Sequence, residues 1–348
     1  MRTIGIGLIG VGGFGQGYVQ ALDGNPHAKI AGICDMQVQA AAELAAQCGN
    51  PPVTGDYREL LARSDIHAVC IATPHFLHHR MTMDALAAGK HVFCEKPLAT
   101  TAADAYAMAA AARAKGLVLS CHYNQRQMAQ VKLLTQVVRT NLIGTPYHVS
   151  MRWIARWTGF MFGANTGWRK EKAKAGGGIL IGRGSHLIDA AWYILGKPRI
   201  ASITAVCRSD LTGFEVDDYT TALLTCANGI TISIEASYVL PTPHGSERME
   251  YEVFGTAGGA SWRKIDDVVS FGVGSLDLAT GAWCDRTGDL DVAAVEKHAP
   301  LTIINDFIDA VVEGREPNVT GEEAAYISKL LEAGYESAAL RRTVEVLG

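Results

Sequence analysis

The sequence predicts an α/β domain built on a doubly wound parallel sheet, followed by an α+β domain with a mainly antiparallel sheet. Three observations carry that prediction. Over residues 3–121, short apolar runs alternate with Ala- and Leu-rich helical stretches, the pattern of repeated βαβ units. Over residues 200–273, β-type segments follow one another with turns between them, one being Ala227-Asn228-Gly229, and Asn-Gly suits a two-residue hairpin turn that joins antiparallel strands. The length, 348 residues, accommodates two domains, and the change of pattern divides them at 1–122 and 123–348.

In chain order, strands are expected at 4–9, 29–34, 68–72, 91–94 and 117–121. Helices are expected at 14–22, 37–48 and 102–115, the last stopped by Gly116 as a C-cap residue should. Past Gln125 come a helix near 128–140, a strand, an irregular stretch bearing Trp and Gly up to Gly178, and a helix near 185–195. Strands follow at 200–207, 219–226, 230–238, 249–254 and 268–273, and two helices near 301–313 and 322–337 close the chain. The strands of the second domain read as having two apolar faces and few covering helices, which points to a homodimer or homotetramer.

Hydrophobic residues make up 48% and charged residues 19%, a composition that excludes intrinsic disorder. Lys plus Arg number 31 against 35 Asp plus Glu, with no basic run, so a nucleic-acid partner is not expected. No stretch approaches the ~18 uninterrupted apolar residues of a membrane span. The opening apolar run, broken by glycines, is read as neither anchor nor signal peptide. The eight cysteines (34, 48, 70, 94, 121, 207, 226, 284) form no C-x-x-C pair and read as buried reduced thiols of a cytoplasmic protein.

The opening segment holds G-x-G-x-x-G in two registers, from Gly5 and from Gly10. The Gly5 register would lie inside the first strand. Gly10, Gly12 and Gly15, with Gly13 and Phe14 between them, fall where the strand ends and a helix begins. There glycines permit a tight turn and close approach of a pyrophosphate, which the helix N–H groups bind. Asp35 ends the second strand at about the spacing, ~20 residues, at which a carboxylate accepts hydrogen bonds from a ribose hydroxyl. Together these residues form a dinucleotide site. Asp35 would set its charge against an additional 2′-phosphate, and Met36 and Gln37 supply no cation, so NAD is the cofactor expected.

Further blocks are 66–78, with Thr73, Pro74 and His78; Ala88 to Pro97, with Glu95-Lys96-Pro97; Tyr123-Asn124-Gln125-Arg126; Gly176-Gly177-Gly178; and 184–189, with His186. With the glycine loop, these resemble the Gfo/Idh/MocA oxidoreductases, a family that includes glucose-fructose oxidoreductase and inositol dehydrogenases, over essentially the whole chain. The resemblance implies a Rossmann domain carrying NAD or NADP and a C-terminal domain with a mainly antiparallel sheet. It further implies that Lys96 contacts substrate and cofactor, that Thr73, Pro74, His78 and Glu95 border the cofactor, and that His186 is the catalytic histidine. A neutral imidazole can take the proton of an alcohol as hydride leaves carbon. Asp189 could orient that imidazole or hold its helix to a neighbour.

One departure stands out. Many dehydrogenases of the family carry an aspartate four residues before the histidine, where this chain has Gly182, with Arg183 beside it. The histidines 75, 78 and 79 invite a metal reading, but no second ligand group has metal spacing, so no metal is expected. The segment 152–169 carries Trp153, Arg156, Trp157, Phe160, Phe162, Trp168 and Arg169. Aromatic rings suit the C–H faces of sugars, and Arg forks suit hydroxyls or carboxylates. Tyr123, Arg126, Arg156, Trp168, Arg169, Arg183, Lys96 and His186 are therefore the candidate substrate contacts. The expected function is NAD-dependent hydride transfer at a secondary hydroxyl or ketone of a cyclic polyol, sugar or sugar derivative. The alternatives are a dehydrogenase of an acidic cyclic diol or sugar acid, and a non-catalytic regulator sensing dinucleotide or sugar.

Overall fold

The apolar runs of the amino-terminal half pair side by side. A computed structural model describes residues 3–156, 164–243, 245–290 and 302–346, the side chains of 13, 14 and 164–166 excepted. By its contacts the chain divides into two units, Met1–Asn124 with Leu301–Ser328, and Gln125–Pro300 with Lys329–Gly348.

The first unit is a six-stranded parallel sheet in the order β3-β2-β1-β4-β5-β6. Its strands are β1 (Ile4–Ile9), β2 (Ala28–Cys34), β3 (Val53–Thr54), β4 (Ala68–Ile71), β5 (His91–Cys94) and β6 (Leu119–Cys121). Both faces of β1 are buried, as in a sheet covered by helices on each side. The helices are α1 (Gly13–Leu22), α2 (Val38–Ala45), α3 (Tyr57–Leu61), α4 (His78–Ala87) and α5 (Ala102–Ala114). Thr101 caps α5 by accepting the Asp104 N–H at 3.1 Å, and Gly116 ends its turn at φ +63°. This strand order reverses direction between β1 and β4, and ligands of such sheets bind beyond the carboxyl ends at that switch point.

The sequence division left residues 301–328 with the second domain, whereas the structure groups them with the first unit. The reason is the apolar face of α9 (Ile303–Glu313), where Phe307 lies 5.5 Å from Phe93 of β5 and Asn305 bonds Ala21 O and Asn25 of the α1 end.

The second unit begins with α6 (Ala129–Arg139) and holds a nine-stranded sheet. Its strands are β7 (Pro146–Ala155), β8 (Ile200–Arg208), β9 (Tyr219–Cys226), β10 (Thr231–Ser237), β11 (Glu247–Gly255), β12 (Gly258–Ile265), β13 (Val268–Leu276), β14 (Trp283–Asp285) and β15 (Val344–Glu345). Their order is β14-β13-β12-β11-β7-β10-β9-β8-β15, antiparallel except where β7 and β10 run together. The helices are α7 (Lys172–Ala175), α8 (Ser185–Ile194) and α10 (Gly321–Leu340), the last divided between the units at Ser328. The 226–230 hairpin spans three residues rather than two. Gly229 takes φ +86° and the Cys226 N–H reaches Ile230 O at 2.7 Å.

The expectation of strands with two apolar faces is corrected. One face, with Val149, Met151, Ile232, Ile234 and Tyr251, is buried, and α6 and α8 pack on the sheet. The other alternates to Arg152, Glu235, Glu250 and Arg263, joined as ion pairs at 2.6 to 3.8 Å. Side chains of successive strand residues point to opposite faces, so these charged residues share one face and make its centre polar.

Candidate active site

In the first unit every sequence-predicted residue falls beyond a strand's carboxyl end. Gly10 follows β1 at φ +98°, where an added Cβ would stand 2.7 Å from Ala72 O; at Gly15 it would stand 2.2 Å from Gly10 O. At Gly12, the N-cap of α1, nothing lies within 4 Å, and no side chain caps the helix. The turn is thus closed by backbone on its inner side and open on its outer side, where α1 presents N–H groups, a shape that fits a pyrophosphate. The Asp35 carboxylate accepts the Val11 N–H at 2.9 Å and the Gln37 N–H at 2.8 Å. It ties the glycine turn to the end of β2, and a carboxylate's remaining lone pairs suffice for ribose hydroxyls. These residues fit NAD. The side chain of Phe14 lies outside the described residues.

Glu95 and Lys96 leave β5 through a knot of three side chains. Tyr18 of α1 donates its hydroxyl hydrogen to Glu95 Oε1, and His122 Nδ1 lies 2.7 Å from the same oxygen. Glu95 Oε2 accepts the Lys96 N–H at 3.2 Å. Burial alone would raise the Glu95 carboxyl, but His122, Tyr18 and Lys96 together hold it below the usual carboxylate range. Burial and the Glu95 charge push the Tyr18 phenol well up, so it acts as a donor. Lys96 therefore emerges from a turn whose carboxylate is fixed and charged. Neither Tyr18 nor His122 was singled out in the sequence. Tyr18 carries no local signal, whereas His122, a polar residue at a strand's carboxyl end next to Tyr123, does.

His78 is 0% exposed, with Nδ1 2.8 Å from Pro97 O and Nε2 2.9 Å from Thr73 O. Burial pushes its imidazole pKa down, against the two carbonyls, which favour the protonated ring. His78, expected beside the cofactor, joins the loops of Thr73-Pro74 and Lys96-Pro97.

In the second unit, His186 sits one residue inside α8, and residues Leu180–Gly184 wind into it as a π-helical turn. Asp217 holds the start of this run, accepting the Gly178 N–H at 2.7 Å and the Leu180 N–H at 2.8 Å. The Tyr335 hydroxyl donates to Asp217 at 2.8 Å. Burial raises the Asp217 carboxyl against these donors. Sequence reading missed both residues because they lie far from the glycines they support. Asp189 is 0% exposed and forms a two-pronged ion pair with the guanidinium of Arg126, which is 1% exposed, at 2.6 to 3.2 Å. Of the two open readings for Asp189, the structure shows the hold on a neighbour.

Arg126, expected among the substrate contacts, thus has its charge enclosed with that of Asp189. Tyr123 is likewise 0% exposed. Arg183 is 7% exposed and donates to Ser237 O at 3.1 Å and Glu247 Oε1 at 2.9 Å. Arg156 donates to Thr242 O and Gly245 O at 3.3 and 2.9 Å. The Arg169 guanidinium lies 4.3 Å over the Trp168 ring. Trp157, Phe160 and Phe162 lie outside the described residues. The departure at Gly182 has a physical cause: a Cβ there would stand 1.8 Å from the Tyr238 hydroxyl.

Comparison with known proteins gives the family. A model of an oxidoreductase family with an NAD-binding Rossmann fold matches residues 4–123, and a model of the GFO/IDH/MocA C-terminal domain matches residues 131–261. The levoglucosan dehydrogenase of Pseudarthrobacter phenanthrenivorans is 26% identical, with 99% of each chain covered. The D-glucoside 3-dehydrogenase of Escherichia coli is 27% identical, covering 91% of this chain and 90% of that one. A levoglucosan dehydrogenase structure in complex with NADH and L-sorbose matches at a TM-score of 0.81 and 26% identity, covering 100% of both chains. With a nucleotide cradle in one unit, a helical histidine in the other and both domain models matched in order, the chain belongs to the GFO/IDH/MocA family of NAD-binding sugar and polyol oxidoreductases.

Proposed function

We propose that the protein transfers hydride between NAD and a secondary hydroxyl or ketone of a cyclic polyol, sugar or sugar derivative, with Lys96 and His186 as the catalytic pair. When bound, NAD supplies the hydride acceptor. The Lys96 ammonium polarises the reacting oxygen, and the imidazole of His186 takes the hydroxyl proton, returning it in the reverse direction. The observation that carries this reading is the anchoring of Lys96. Its backbone N–H is held by a carboxylate that Tyr18 and His122 fix in turn, at the carboxyl edge where the Rossmann sheet binds its nucleotide. A sensor without turnover has no use for so constrained a lysine.

Two of the four candidate arginines speak for a neutral substrate over an acid. Arg126 is neutralised by Asp189 and Arg183 is paired with Glu247, so neither adds net positive charge for a carboxylate. Following reduced-nicotinamide absorbance with NAD and a panel of neutral sugars, inositols, uronic acids and cyclic diol acids tests the reading. Turnover of neutral rings is expected. Activity confined to linear hydroxy acids or simple alcohols would overturn it. Self-association as a homodimer or homotetramer is also proposed, on the family resemblance alone, and light scattering that finds only the 37.2 kDa chain at micromolar concentration refutes it.

A further inference from the structure

The π-helical turn ahead of His186 encloses a side chain that no motif announces. Gly182 and His186 are four residues apart in one continuous helical run. Residues so spaced share a face, with Cβ atoms about 5–6 Å apart. The place that a side chain at 182 would occupy on that face is filled from another element. Tyr238, just past the end of β10, puts its hydroxyl 1.8 Å from where the Cβ would stand, and its Cζ 2.9 Å away. The π turns found within helices cluster at functional sites, and this one brings a foreign hydroxyl to within a helical turn of the histidine.

The phenol is held there from several sides. Tyr238 is 5% exposed. The Arg183 guanidinium lies 5.5 Å from its ring and 4.6 Å from that of Trp153. Arg183 is pinned by Ser237 O and Glu247, and Trp153 Nε1 donates to the same Glu247 oxygen at 2.9 Å. The Trp153 ring in turn stands 6.2 Å from the imidazole of His186. Rings, guanidinium and carboxylate form one packed set with the histidine at its edge.

We propose that Tyr238 is a positioning residue of the His186 site, its hydroxyl fixing the orientation of the imidazole from the place where residue 182 has no side chain. Burial pushes the phenol up to about 12, with Arg183 and Arg169 opposing the rise, so at neutral pH it is a neutral O–H. A neutral hydroxyl can donate or accept, and so fixes a ring nitrogen without adding negative charge. This rests on the reading of His186 as the proton-transfer group.

The test uses the full chain and Tyr238→Phe, which removes one oxygen and keeps the ring beneath Arg183. Long-range proton–nitrogen NMR, with His186 assigned through His186→Asn, reports which ring nitrogen carries hydrogen. The inference expects the His186 nitrogen pattern to change in Tyr238→Phe, while the other histidines keep theirs. Gly182→Ala, whose methyl group needs the space of the hydroxyl, should change the same resonances. An unchanged His186 pattern in both variants overturns the inference. With the sugar that the protein oxidises, Tyr238→Phe should lower kcat by about 100-fold, the cost of a small misplacement of a catalytic group, with KM and NAD affinity within a few-fold. An unchanged kcat overturns it equally. A protein that turns over nothing in the panel contradicts the proposed function instead, and the NMR arm then decides the inference by itself.

Discussion

The turn that opens α1 and the turn that enters α8 are both built on glycine, and they use it in opposite ways. At Gly12 the missing side chain leaves open space, so that backbone N–H groups face outward to a ligand. At Gly182 the missing side chain yields its space to Tyr238, a residue just past the end of β10 and distant in sequence. The first arrangement is local: strand, turn, helix and Asp35 complete it within one βαβ unit. The second gathers β7, β10 and β11 around one helical turn. The nucleotide cradle thus rests on local backbone and one carboxylate, while the chemistry proposed for His186 rests on side chains that the fold assembles.

Substituting the chemical groups should have the largest effect and leave the backbone cradle intact. Lys96→Ala and His186→Ala are each expected to lower turnover by roughly 100- to 10,000-fold, the usual worth of acid–base assistance. NAD affinity, followed by fluorescence titration, should stay within a few-fold. A His186→Ala protein with near-normal turnover would remove His186 from the pair.

Next comes the buried pair beneath α8. Arg126→Leu leaves Asp189 charged and enclosed, which should cost about 3–5 kcal/mol in urea unfolding. Restored stability in Arg126→Leu/Asp189→Leu would confirm that the guanidinium serves the fold. A normal unfolding curve for the single variant, with a raised KM for substrate, would return Arg126 to the substrate contacts.

The cradle is tested at Asp35. The protein is expected to prefer NAD to NADP at matched ionic strength, because the 2′-phosphate would meet the Asp35 charge. Asp35→Ser should weaken NAD by about 10- to 100-fold, the worth of hydrogen bonds to a charged group, and narrow the preference. Equal efficiency with NADP in the unsubstituted protein would break the expectation.

The smallest effect concerns Glu95. Its folded carboxyl lies below the ordinary value of 4.5. Its charged form therefore adds stability that is fully present above that pH and is lost as pH falls through the folded value. The stability difference between the protein and Glu95→Gln should be constant at neutral pH and shrink in acid. A difference that grew below pH 4.5 would place the carboxyl on the protonated side.

Much of this protein is legible in one dimension. Strands β1, β4 and β5 could be read because strands buried on both faces are continuous apolar runs. The cradle could be read because phosphate binding needs glycines at fixed spacing along one turn. Strand β12 was not read: Gly258, Gly259, Arg263 and Lys264 weaken its β pattern, and only pairing with β11 and β13 makes it a strand. The polar outer face of the second sheet was misread, since which side of each strand meets α6 and α8 depends on register.

The site divides in the same way. Lys96 and His186 stood out because each lies within a run of neighbouring motif residues. The fates of Arg126, Arg183 and His78 were set by partners more than ten residues away, Asp189, Glu247 and Pro97. A charge or imidazole is a ligand contact or an internal brace according to what it meets. Those meetings are long-range contacts, fixed by packing of the sheets and helices, and local sequence carries no record of them.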